Sequence, residues 1–91
     1  MEIVVEQLEE EPWVFAVGLR EDDENLGDYV VSMSEAEYGE YGQNSEPAEV
    51  IRATFRFLLE REEPEMIMDR FNLSDILDFF PEYPAKLENY F

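Results

Sequence analysis

The chain has 91 residues, with 24 acidic against 6 basic side chains, a formal net charge of −18, no cysteine and no histidine. That inventory excludes a disulfide framework, a thiolate or imidazole metal site, a cysteine nucleophile and every triad or general base built on histidine. The same charge sets aside direct nucleic-acid binding by a basic face and docking onto anionic lipid, and a chain this short buries roughly 60–65% of its unfolded surface, enough for one modest core.

Hydrophobic residues make up 45% of the chain and aromatic residues 14%, which implies folding rather than an acidic disordered tail. The longest apolar run, Trp13 to Leu19, is broken only by Gly18 and falls far short of the ~20 residues that span a bilayer. Glu2 and Glu6 stand where a signal peptide needs a basic leader and an apolar stretch, so a cytoplasmic location is expected. Acidity is uneven. Up to Glu46 there are fourteen acids and one base, and from Pro47 onward ten acids and five bases.

In chain order, Glu2 to Leu8 and Trp13 to Arg20 are rich in β-branched and aromatic residues, with Trp13, Phe15, Val17 and Leu19 alternating against Val14, Ala16, Gly18 and Arg20. The charged turn Glu9-Glu10-Glu11-Pro12 between them predicts an antiparallel hairpin. After a breaker over Glu21 to Gly27, a third strand over Asp28 to Ser34 puts Tyr29, Val31 and Met33 on one face. Ser34 and Glu37 form a capping-box pattern that opens a short helix through Tyr41, with Gly42 as its stop. Following the linker Gln43-Asn44-Ser45, Ser45 is placed to cap a helix that begins with Glu46-Pro47 and runs to about Glu63. Its apolar arc of Val50, Ile51, Thr54, Phe55, Phe57 and Leu58 opposes a polar stripe of Glu49, Arg52, Arg56 and Glu60, as expected of a central helix. Pro64 opens a further helical turn over Glu65 to Arg70, and Asn72 with Asp75 caps a third segment that ends at Pro81. Residues from Pro84 to Phe91 read as an aromatic tail or a last helical turn or two. The expected fold class is α+β: one domain over residues 1–91, a three-stranded antiparallel meander over 1–34 followed by three to four short helices over 35–91.

The run Phe57-Leu58-Leu59-Glu60-Arg61-Glu62-Glu63-Pro64, then Arg70-Phe71-Asn72-Leu73, then Phe79-Phe80-Pro81-Glu82-Tyr83, resembles the carboxy-terminal signature of a small uncharacterised prokaryotic family that reads roughly FLLEREP, RFDL, FPEY. The likeness covers the second half of the chain. It departs from the pattern by the extra Glu63 and by Asn72 where an aspartate is usual, neither of which alters the capping pattern. It implies a compact α+β domain and carries no activity, catalytic residue or cofactor.

Asp22, Asp23, Asn25 and Asp28 are the best candidates for a cation site, since hard cations want six to eight oxygens. Counted from Asp23, however, Gly27 falls fifth and Ser34 twelfth, which fails the EF-hand pattern and favours a solvated loop. Glu60 with Glu62 and Asp75 with Asp78 are carboxylate pairs without a cleft or a reason for one raised pKa, so no catalytic role is assigned. Arg52 and Arg56 fit four-residue ladders with Glu49 and Glu60 better than an anion site. Arg61 faces the apolar side near its helix end, placed to bond the last carbonyls or to pair with Glu82. Phe79, Phe80 and Tyr83 head the aromatic cluster that also includes Tyr90 and Phe91, a docking site for a protein partner if exposed and core if not. The sequon Asn72-Leu73-Ser74 means little in a protein that is not secreted.

The acidity itself has two readings. Carboxylates keep a chain hydrated in a salt-rich cytoplasm, where at ~1 M salt the screening length of about 3 Å removes most self-repulsion. Alternatively they imitate a nucleic-acid backbone and fill the basic groove of another protein. The densest acids fall in turns, which hold a register poorly, so solvation is favoured. The expected function is that of a non-enzymatic accessory or interaction protein, without cofactor, with weak cation binding as a third alternative.

Overall fold

A computed structural model describes residues 1–10, 12–42 and 44–91; Glu11 and Gln43, expected in the first turn and in the linker, lie outside them. Strands β1 (Glu2–Glu9), β2 (Trp13–Glu21) and β3 (Glu24–Met33) form the antiparallel meander that their alternating residues dictate. The sheet has a fourth member, β4 (Arg70–Asn72), which pairs with β3 in parallel, so the three-stranded expectation is one strand short. Three residues are too few to show a period of two, and the sequence pattern assigned Arg70 to the end of a helix. That helix shrinks to a single 3-10 turn over Pro64–Met66, and the chain then runs extended so that Asp69 accepts the Val30 N–H at 2.8 Å.

The acidic run read as a breaker is a tight hairpin. Asp22 and Asp23 both have positive φ, 50° and 66°, as a type I′ loop requires, and Glu21 stands directly opposite Glu24. β3 therefore begins four residues ahead of the expected start at Asp28.

Phe15, Val17, Leu19, Tyr29, Val31 and Met33 make the inner face of the sheet and are buried. Against them lies α2 (Pro47–Leu59), whose residues Val50, Ile51, Ala53, Thr54, Phe55, Phe57 and Leu58 are all buried. The helix stops short of Glu63 because Pro64 lacks an N–H and drives the residue before it to an extended ψ of 154°. Its cap position is Glu46, not Ser45, and no side chain bonds there; Pro47 in the first turn removes one donor that would need a cap.

α1 (Glu35–Tyr41) carries the expected capping box, with Glu37 N–H donating to Ser34 Oγ at 3.1 Å and Ser34 N–H to Glu37 Oε1 at 2.7 Å. The other Glu37 oxygen reaches across the fold. Oε2 accepts from Asn72 Nδ2 at 2.6 Å and from Ser74 N–H at 3.1 Å, while Asn72 Oδ1 accepts from Ser32 at 2.9 Å and the Asn72 N–H donates to Asp75 at 3.0 Å. A carboxylate can only accept, so the Asn72 amide orientation is fixed. One carboxylate thus caps α1 and ties β4 to it, while the Asn72 side chain also joins β4 to β3 through Ser32.

The chain closes with a 3-10 segment over Leu73–Asp78, a short α3 (Tyr83–Lys86) and a 3-10 turn over Leu87–Tyr90, so the terminal aromatic residues lie on helical turns rather than a loose tail. The opposite face of the sheet, with Val4, Ala16, Gly18 and Val30 along an open trough, carries no helix. Among the described residues, no helix is long and apolar enough to cross a membrane.

Candidate functional site: an apolar groove beside β4

Where α2 ends, the chain wraps Pro64 to Phe80 around the helix and β4. Leu58, Ile67, Phe71 and Ile76, all buried, form a floor. Around it stand Met66, Met68 and Phe79, which are 68%, 39% and 60% exposed and cannot be called core. The concavity they enclose, edged by Glu62 and half-buried Phe80, has a volume of about 50 Å³. Acidic residues dominate the stretch that builds it: from Glu60 to Glu82 there are eight acids against Arg61 and Arg70.

The aromatic residues singled out from the sequence separate here. Phe79 is exposed and Phe80 half-buried at the groove, whereas Tyr83 is fully buried. The Tyr83 ring packs against Tyr41 and Phe57 at centroid distances of 5.4 and 5.1 Å, and its hydroxyl lies 2.7 Å from Thr54 Oγ1. Thr54 in turn donates to the Val50 carbonyl at 2.8 Å, so the pair is satisfied without water. Burial pushes the Tyr83 phenol far above its ordinary range, against the opposing pull of the Thr54 bond. A docking role for Tyr83 is therefore replaced by a core role. Met66 and Met68 were missed as site residues; the visible signal was Met-Ile-Met between Pro64-Glu65 and Asp69, too short to bury both methionines on one helix face.

Arg61 Nε lies 3.2 Å from Glu82 Oε2, and the guanidinium carbon sits 3.8 Å above the Phe57 ring. Nη1 also donates to the Phe57 carbonyl and to the Tyr90 hydroxyl, each at 3.2 Å, so this arginine caps α2 and holds the terminal turn at once. Arg52 pairs with Glu49 at 2.7 Å, but Arg56 donates to the Tyr90 carbonyl at 3.0 Å rather than to Glu60.

The candidate cation ligands do not converge. Asn25 donates to Asp28 at 2.7 Å, and Arg20 bonds the Asn25 carbonyl oxygen and approaches Asp28 at 3.5 Å, so a guanidinium occupies the centre of that group. Asp22 and Asp23 sit at the hairpin tip instead, both exposed. Among the described residues, no three acidic side chains are grouped to hold a metal ion.

The chain matches no protein-family model, no curated protein and no solved structure.

Proposed function

We propose that this is a non-enzymatic accessory protein of a salt-rich cytoplasm that docks a basic segment of another protein in the groove beside β4. The observation that carries the reading is the joint exposure of Met66, Met68 and Phe79 around one apolar floor. At roughly 10–15 Å³ per water-sized sphere, the enclosed volume takes the end of one Leu or Met side chain. Sites that enclose a small molecule run to ~300–1,000 Å³, so the hollow suits an anchor residue rather than a substrate. Methionines supply an adaptable apolar wall, and the surrounding acids favour an anchor flanked by Lys or Arg.

The test is calorimetric titration with an amphipathic helical peptide of Leu and Lys. Binding that weakens with salt, and at least about tenfold in Phe79→Ser or Met66→Ser while the melting temperature holds, supports the groove. Equal affinity in both variants refutes it. The environmental part of the proposal predicts a melting temperature that climbs from dilute to molar salt, and a flat profile refutes that part.

Mimicry of a nucleic-acid backbone gains one observation: Glu21, Asp22, Asp23 and Glu24 sit on a tight two-residue hairpin turn, not on a long loop. Charge reversal at Asp22 and Asp23 that abolishes capture of a purified DNA-binding protein would favour it over the groove.

A further inference from the structure

The outer face of the sheet departs from the rest of the surface. Along it run Glu2, Val4, Glu6 and Glu9 of β1, Val14, Ala16, Gly18 and Arg20 of β2, Asp28, Val30 and Ser32 of β3, and Arg70 and Asn72 of β4. Four acids face two bases there, whereas the whole chain has 24 against 6. Val4, Ala16, Gly18 and Val30 line its trough, the Arg20 guanidinium lies across Gly18, and Val4 is exposed. An antiparallel sheet that faces water normally alternates to polar residues on that side.

We propose that this face is covered by the same face of a second copy of the chain. The ladder places Glu6, Ala16, Val30 and Arg70 side by side in one row across the four strands. A twofold axis along the strands, passing between β2 and β3, turns that row onto itself in reverse. Glu6 then lies over Arg70 of the other copy at both ends, and Ala16 over Val30 in the middle. The row is thus self-complementary in charge, with small residues meeting at its middle, as an isologous interface requires. From the Glu2 row to the Glu9 row the face runs about 23 Å at ~3.3 Å per residue across β1 to β3, which span about 14 Å at ~4.8 Å per strand, and the three residues of β4 widen it at one edge. With side-chain relief over that footprint, two such faces approach the ~1,000 Å² that a specific interface needs. The two molecules repel through their net charge of −18 each, and that repulsion fades only in concentrated salt. Dimerisation therefore strengthens with salt, opposite to the response of the groove, and the inference stands independently of the groove.

Sedimentation equilibrium of the wild type and of Ala16→Glu across dilute and molar salt tests it. The expected result is a wild-type dimer in brine that loosens in dilute buffer, and a dissociation constant raised 100-fold or more by Ala16→Glu. A wild type that stays monomeric in molar salt, or a dimer indifferent to Ala16→Glu, overturns the inference. Should Ala16→Glu fail to fold, an oxidised equimolar mixture of Ala16→Cys and Val30→Cys chains provides the second reading: a mixed disulfide is expected, and its absence overturns the stated register.

Discussion

Replacing Asn72 by aspartate is expected to damage the fold. The Asn72 amide donates to Glu37 Oε2 at 2.6 Å and to Ser74 Oγ at 2.7 Å, and an aspartate at pH 7 can donate to neither. A hydrogen bond to a charged group contributes about 1.5–3 kcal/mol, and the substitution sets a new carboxylate against that of Glu37. Both side chains are partly exposed and swing apart into water, so the repulsion is discounted and the net loss set at about 2–3 kcal/mol. An unfolding entropy of about 2.1 cal/mol/K per residue gives roughly 0.19 kcal/mol/K for 91 residues, so each kcal/mol moves the melting temperature by about 5 °C. The expected fall is about 10–15 °C, measured by circular dichroism in molar salt. Adding Glu37→Gln, whose amide can donate to the new carboxylate, should recover more than half of it. A fall under about 5 °C, or strict additivity in the double-mutant cycle, would refute the claim that this pair joins β4 to α1.

Tyr83→Ala should lower stability by about 3–5 kcal/mol, a fall of about 15–25 °C, since it empties a fully buried ring site, whereas Tyr83→Phe should cost about 1 kcal/mol; a small effect of the alanine would return Tyr83 to the surface. Asp23→Gly should stabilise by about 1 kcal/mol in dilute salt, relieving a left-handed backbone and one of four crowded acids, and melting curves that do not rise would contradict the hairpin. Burial raises the phenol of Tyr83, and burial and then the Asp69, Glu65 and Asp28 carboxylates raise that of Tyr29. A folded-state value above the unfolded one means that stability is intact below pH ~10 and is lost as pH climbs beyond it. Phenolate absorbance and loss of circular dichroism should therefore rise together in an alkaline titration; all five tyrosines ionising near pH 10 in an intact fold would refute this.

The meander and the two main helices were legible because their signals are local and repeated: Trp13 to Leu19 alternates, Ser34 and Glu37 cap, and Val50 to Leu58 sweep one arc. What escaped was set by distant parts of the chain. β4 exists because Val30 and Ser32 offer it an edge, not because Arg70-Phe71-Asn72 has strong strand character. The Asp22–Asp23 turn hid because acids seldom fill both left-handed positions, where Asn-Gly is the usual signal. Half of the candidate site, Phe79 and Phe80, stood out by its chemistry. Tyr83 carries the same chemistry, and only the third dimension separates a ring in the core from a ring on the rim.

The strand that seals the sheet is also the one that the ribosome delivers late. Val30 and Arg70 pair across 40 residues, so a nascent chain has its meander exposed before Arg70–Asn72 emerges, with β3 open along its edge. In that interval an unpaired ribbon of Tyr, Val and Met is free to join a neighbouring chain. Final stability is thus only part of what the short fourth strand confers: its arrival sets how long each new molecule remains adhesive during synthesis.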